Sequence, residues 1–287
     1  MSTEPSIAIG TCAWSFDDWR GVFYPEHLPA GERLAFYAQH FPSVEVDSTF
    51  YHPPAAHVAQ HWAEATPPHF LFSAKLPREI THERGLREST ALVREFVESL
   101  KPLGEKLGCV LVQLPPYFTP ERDEHALRDF VRHLPPGARF AIEFRDPDWH
   151  HPRIVHLLSD HGVCWAWNDT SATEHASEAA FGSWPHTTDF LYVRMLGDLE
   201  TKYAPDGARV HHYRKLSWPR DDSLDNWVEK VRAHPSQVKR AFLYVNNHFE
   251  GFAPATAVRI AERLGVLLKL PSVEELRGGD SKQMRLL

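Results

Sequence analysis

At 287 residues, with 43% hydrophobic and 24% charged residues, the chain has the make-up of a globular protein able to bury a full core, which excludes a disordered one. A net charge of −7 gives no general attraction to nucleic-acid backbones, and no apolar run reaches the ~20 residues of a membrane span. The short polar start shows no signal-peptide pattern, and three widely spaced cysteines, Cys12, Cys109 and Cys164, point to reduced thiols in a cytoplasmic protein.

Short β-branched or aromatic runs alternate with helical periodicity along the chain, which predicts βα units. The first run, residues 7–10, leads into an aromatic loop with Trp14 and then Leu34, Tyr37 and Phe41 at helical spacing. Residues 44–47 form the second run, followed by Tyr51 and by Val58, Trp62 and Ala65. A third, 70–75, ends on Lys75 and precedes the stripe Leu92, Phe96, Leu100, Leu103. The fourth, 109–114, is followed by Leu127, Phe130, Val131 and Leu134, and the fifth, 140–145, runs into Trp149. After the sixth, 163–168, residues 170–189 lack a pattern and are expected to form a long loop. The seventh, 190–195, precedes Leu224, Trp227, Val228 and Val231, and the eighth is 241–246. No linker or composition break divides the chain, so residues 1–287 are expected to form one domain. Eight units without the glycine fingerprint of an open doubly wound sheet predict a single closed parallel (β/α)8 TIM-type barrel.

Side chains alternate faces along a strand. Val44 and Val46 on one face leave Glu45 and Asp47 on the other; Phe140, Ile142 and Phe144 leave Ala141, Glu143 and Arg145. By the same test Lys75 falls with Leu71 and Ser73, Gln113 with Leu111, Arg194 with Tyr192, and Asn246 with Tyr244. Each polar member stands at the downstream end of its run, the end where barrel enzymes carry their chemistry. Charges placed there need partners, because burying an unpaired ion costs several kcal/mol. They form either a functional site or a structural ion-pair network inside the barrel. Aromatic residues in the following loops, among them Trp14, Tyr51 and Trp149, suit a wall over a polar floor.

The ordered motifs resemble the YecE-like family, domain of unknown function 72. They include Gly10-Thr11-Cys12-Ala13-Trp14-Ser15-Phe16, Phe23-Tyr24-Pro25 and Val44-Glu45-Val46-Asp47-Ser48-Thr49-Phe50-Tyr51. Further along come Lys75, Thr81-His82, Gln113-Leu114-Pro115-Pro116, Ala141-Ile142-Glu143-Phe144-Arg145, Tyr192-Val193-Arg194 with Gly197, and Asn246-Asn247 with Gly251. The resemblance implies a TIM-type barrel and supplies no reaction. Two positions depart from its motifs: Asp47 stands where the family usually has asparagine, and Leu196 where it usually has histidine.

Three chemistries fit these residues. The first is metal-independent acid–base catalysis on a sugar-like or phosphorylated molecule, a hydrolase or isomerase reaction. Glu143, Glu45 and Lys75 are its expected catalytic groups. Arg145, Arg194, Asp47, Gln113, Asn246, Asn247, His82 and Asp169 are its expected binding groups, with Trp14, Tyr51 and Trp149 as the wall. The second is a metal-dependent phosphoesterase or isomerase. No His-x-His or Glu-x-x-His pair faces inward, so no metal site or cofactor is predicted, although oxygen ligands could hold Mg²⁺ or Mn²⁺ weakly. The third is a nucleic-acid or nucleotide binding module using Arg78, Arg84, Arg87 and Arg94 or Arg209, Arg214, Lys215 and Arg220, and it is less favoured given the acidic total. A small polar or anionic ligand is the expected partner. The sequence carries no signal for a membrane partner or an oligomeric state.

Overall fold

The computed structural model describes residues 5–197 and 212–277. The expected binding residue Arg209 lies outside them. Parallel strands run in the order β6-β5-β4-β3-β2-β1-β9-β8-β7. They are β1 (Ser6–Cys12), β2 (Ser43–Val46), β3 (Leu71–Lys75), β4 (Leu107–Gln113), β5 (Phe140–Glu143), β6 (Cys164–Trp165), β7 (Trp167–Asn168), β8 (Phe190–Met195) and β9 (Arg240–Val245). The ninth arises because the expected sixth strand is split at Ala166: β6 pairs with β5, while β7 pairs with β8. Ala166 itself donates its N–H to Ile142, so this interrupted strand joins the two edges and the sheet curls into a nearly closed barrel.

Helices α1 (Arg33–Tyr37), α2 (Ala56–Glu64), α3 (Thr90–Ser99), α4 (Pro120–Arg132), α5 (Pro152–Asp160), α6 (Ser171–Phe181), α7 (Asp221–Arg232), α8 (Asn247–Glu250), α9 (Ala253–Leu264) and α10 (Val273–Leu276) connect or follow the strands. Strand alternation sorts the core into two layers. Ile9, Val44, Val46, Phe72, Val112, Ile142, Val193 and Leu243 pack outward with the helix residues Leu127, Phe130, Leu224 and Trp227. Ala8, Cys12, Cys109, Leu111, Ala141, Cys164, Phe190, Tyr192, Phe242 and Tyr244 fill the barrel interior as a separate cluster. At roughly 2 kcal/mol per fully buried large apolar side chain, the outer layer supplies most of the hydrophobic stabilisation.

At one point the barrel wall leaves no room for a side chain. A Cβ on Gly10 would lie 1.9 Å from the Ser43 carbonyl oxygen of β2. The Tyr37 hydroxyl fills the gap beside it, accepting from the Thr11 N–H at 2.9 Å and donating to the Ser43 carbonyl at 3.0 Å.

The loop expected over 170–189 is instead largely helical, as α6. Its inward positions are Thr173 and Ser177, both buried and four residues apart, so the stripe that faces the protein is polar and hydropathy could not reveal it. Thr170 and Thr173 hydroxyls converge on the Asn168 side chain at the end of β7, and Gly182, at φ +71°, ends the helix. Among the described residues no helix is long and apolar enough to cross a membrane.

Candidate active site at the barrel mouth

Above the apolar interior lies a belt of hydroxyls. The Tyr244 hydroxyl meets Ser43 Oγ at 2.6 Å and Ser73 Oγ at 2.9 Å, giving the ring oxygen two partners inside the barrel. Tyr192 donates to Glu45 Oε2 at 2.6 Å, which joins this belt to the charged layer above.

Arg194 organises that layer. Its Nε and Nη2 donate to Glu45, with Nη2 2.7 Å from Oε1, and its Nη1 donates to Glu143 Oε2 at 2.7 Å. Arg145 Nε donates to the other oxygen of Glu143. Arg194 is almost fully buried and both glutamates are completely so. Burial pushes the Glu143 carboxyl up, but Arg145 and Arg194 overcome it and hold the pKa down at about 2. Glu45 and Glu143, two of the expected catalytic groups, are fully buried and paired with Arg194, and Glu143 stays ionised across the neutral range.

Asp47 and Lys75 stand above the triad. Val46 pairs with Ala74, and this register sets Asp47 beside Lys75 on the neighbouring strand. Asp47 begins a 3-10 turn, Asp47–Phe50, rather than ending β2, and its nearest cation is Arg194 Nη2 at 3.6 Å. Its side chain is one-third exposed, yet Oδ1 is shielded and has no hydrogen-bond partner among the described residues. Burial and the Glu45 charge raise its pKa to about 6, against the pull of Arg194 and Lys75. The Lys75 ammonium lies 4.1 Å from the centroid of the Phe50 ring, and among the described residues no carboxylate comes within 4.0 Å of it. Burial lowers its pKa, with Asp47 opposing.

The raised Asp47 pKa has a stability consequence. A carboxyl whose pKa rises on folding contributes stability below its unfolded value near 3.8 and loses it as pH climbs through about 6. Two units correspond to about 3 kcal/mol; with a third of the side chain in solvent, about 1 kcal/mol is the reasonable figure. Asp47→Asn is therefore expected to raise stability by about 1 kcal/mol above pH 7 and to lose that advantage near pH 4. Urea melts at the two pH values measure it, and an equal or larger gain in acid would contradict the assignment.

Of the remaining expected residues, His82 comes nearest. Its ring packs 5.0 Å from Phe50, and its Nδ1 meets Thr81 Oγ1 at 2.8 Å. Burial, with Lys75, Arg78 and Arg145, lowers its pKa to about 4, so the imidazole is neutral at pH 7. Gln113 is half-buried and donates to the Leu114 carbonyl.

Others serve the loops. Trp149 is fully buried, stacked on Phe118 and Phe144, and donates to the Phe118 carbonyl, so it is a pillar of loop packing rather than an open wall. Trp14 sets its ring edge-on to Trp62 of α2. Tyr51 is 69% exposed and borders a cleft of about 240 Å³ with Pro53, Pro77, Ile80 and Phe96, outside the barrel axis. Asp169 accepts the N–H groups of Leu196 and Gly197, fixing the turn after β8. Asn246 caps α8 through the His248 N–H, and Asn247 is buried against Trp19 and Ala253. The arginines after β3 are mostly paired with carboxylates: Arg78 with Glu83, Arg84 with Glu79, Arg87 with Asp123.

Two neighbours of the charged layer carried weaker sequence signals. Cys12 follows Ala8 and Gly10 at period two, and its Sγ lies within 4.8 Å of carboxylate oxygens of Glu45 and Asp47. Those donor atoms could face a metal ion, but the Arg194 guanidinium already supplies the positive charge there, 2.7 Å from Glu45. Burial and the Glu45 charge raise the Cys12 pKa well above its usual value, keeping it a thiol. Beside it Ala13 adopts φ 70°, a left-handed backbone costing about 1–2 kcal/mol in a non-glycine residue. Hydrogen bonds from Ala13 N–H to Glu45 O and from Thr11 Oγ1 to Ala13 O hold it. Phe50, the platform under Lys75, was visible only as one aromatic among many.

The fold and this layer define a parallel α/β barrel with a charged C-terminal face. Residues 8–276 match the family described as Protein of unknown function DUF72. The chain belongs to this family. It is 27% identical over 271 residues to the UPF0759 protein YunF of Bacillus subtilis (strain 168), covering 91% of this chain and 95% of that one. It is 34% identical over 143 residues, half of each chain, to the UPF0759 protein YecE of Escherichia coli (strain K12). Among solved structures, a DUF72 family protein from Thermotoga maritima MSB8 superposes with a TM-score of 0.72 at 27% identity, covering 91% of this chain and 99% of that chain. Another, from Enterococcus faecalis V583, is similar in fold, with a TM-score of 0.71 at 20% identity over 93% of this chain and 98% of that chain.

Proposed function

We propose that the barrel mouth is an active site for metal-independent acid–base chemistry on a small anionic substrate, phosphorylated or sugar-like. Asp47 and Lys75 carry the protons, and the Glu45–Arg194–Glu143 triad is the rigid floor that positions them. A proton-transfer pair works best when both pKa values lie near the working pH, and the surroundings of Asp47 and Lys75 push both toward it. Glu143, locked at about 2, instead keeps Arg145 oriented.

The observation that carries the reading is a pair of incompletely satisfied cations at one mouth. Among the described residues Lys75 has no carboxylate within 4.0 Å and Arg145 donates only through Nε, leaving both terminal nitrogens for a ligand. Two such cations converging above buried carboxylates favour an anionic group of phosphate or carboxylate type.

Inorganic phosphate is the first probe. At 20 mM it is expected to raise the melting temperature of the wild-type chain, as any ligand of the folded state does. Lys75→Met and Arg145→Met should each remove most of that rise. A shift of equal size in both variants, or none in wild type, would overturn the anion site.

A further inference from the structure

Resting on that reading of the mouth, we propose that Lys75 is a covalent catalyst: its amine forms a Schiff base with the carbonyl carbon of a small anionic aldehyde or ketone, such as a 2-oxo acid or a phosphorylated ketone. Acid–base chemistry alone would use Lys75 only to move protons. Its setting offers more.

Lys75 ends β3 on the interior face, above Ser73 and Leu71, with its ammonium over the Phe50 ring and, among the described residues, no carboxylate within 4.0 Å. Most other buried or half-buried cations of this region are held in ion pairs, Arg194 by two glutamates and Arg145 by one. An amine withheld from such pairing loses its proton more readily, and desolvation beside other cations is how lysine nucleophiles are activated, here acting against the Phe50 ring face, which favours the ammonium. The direction of its pKa agrees, lowered by burial and by Arg194 against Asp47, Glu45 and Glu143. Asp47 opens the turn directly after Val46, whose partner Ala74 precedes Lys75, so one carboxyl there can deliver and recover a proton. Arg145 supplies the charge that would hold the substrate's anionic group.

The step balances without a cofactor. The neutral amine's electron pair attacks the carbonyl carbon, a C–N bond forms, and the carbonyl π pair moves to oxygen, which takes the Asp47 proton. The nitrogen then loses a proton to Asp47. Asp47 returns that proton to the hydroxyl, and the nitrogen lone pair forms the C=N bond as the C–O bond breaks, releasing water and leaving a protonated imine. That imine withdraws electrons from the neighbouring carbon, so Asp47 is placed to remove a proton there or to receive one.

Reductive trapping tests this. The full chain is incubated with pyruvate, or with dihydroxyacetone phosphate, and sodium cyanoborohydride, which delivers hydride to the imine carbon and fixes the adduct. Intact mass and peptide mapping should show one adduct per chain, on the peptide containing Lys75, and phosphate should suppress it. Lys75→Arg keeps the charge and should abolish the adduct. Labelling spread over exposed lysines such as Lys239, with Lys75 unmodified, overturns the Schiff base. If phosphate still raises the melting temperature of that unlabelled protein, the anion site survives without it. If phosphate has no effect either, both readings fall together.

Discussion

Replacing Glu143 by glutamine is expected to cost about 3–5 kcal/mol, because one neutral amide would leave Arg194 and Arg145 facing a buried site with half their charge uncompensated. At this chain length such a loss lowers the melting temperature by roughly 10 °C. The pH dependence has a definite sign. Glu143 is held at about 2 against an ordinary 4.5, so its stabilisation is fully present above about pH 4.5 and fades as pH falls toward 2. The gap between wild type and Glu143→Gln should therefore be flat from pH 5 to 8 and narrow in acid. Denaturant melts at pH 7 and pH 3 supply both numbers. A variant within about 1 kcal/mol of wild type at pH 7 would mean that the carboxylate is not a keystone of the floor.

Much of the barrel was legible because its strands obey a period of two while its helices obey 3.6. Val44 and Val46 against Glu45, and Phe140 and Ile142 against Glu143, assign inside and outside without any tertiary information, and the two core layers follow that division. Period breaks down where polar side chains do the packing. α6 presents Thr173 and Ser177 inward, and the split of the sixth strand at Ala166 leaves no trace in hydropathy. The strands also end earlier than alternation suggests: Asp47 opens a 3-10 turn and Asn246 caps a short helix.

At the site, alternation identified which charges share the interior but not which of them saturate one another. Glu45, Glu143 and Arg194 looked equivalent to Asp47 and Lys75 in sequence. A guanidinium reaches two carboxylates at once, whereas an ammonium reaches fewer partners in fixed geometry, and the resulting division of labour depends on distances that spacing does not encode. The roles of the aromatic residues depend on distances in the same way. Trp149 and Trp14 are large enough to bridge loops, and their rings went to packing, while Phe50, one position from the exposed Tyr51, became the surface beneath Lys75.

The most damaging single change should be Arg194→Met. It leaves Glu45 and Asp47 without their nearest cation and Glu143 with Arg145 alone, in a space where Glu45 and Glu143 have no exposure to water. Removing one member of a buried charged cluster costs about 3–5 kcal/mol for a simple pair, and here two further carboxylates lose a partner at once, so a loss at or above the top of that range is expected. A poorly folded product would by itself be ambiguous, and a compensated variant removes the ambiguity. Arg194→Met with Glu143→Leu and Glu45→Gln deletes the charges together while keeping an amide oxygen for the Tyr192 hydroxyl. Arg145 is 14% exposed and can turn its freed guanidinium toward solvent. Such wholesale replacement of a buried ionic triad is commonly neutral or stabilising by about 1–4 kcal/mol. Circular dichroism and urea midpoints should therefore rank the triple variant well above the single one and near wild type. The triple variant should nevertheless respond less to phosphate, because Arg145 has lost the carboxylate that aims it. If the triple variant unfolds as readily as Arg194→Met, the floor is held by shape rather than by charge pairing, and the division between a structural triad and a proton-carrying pair above it fails.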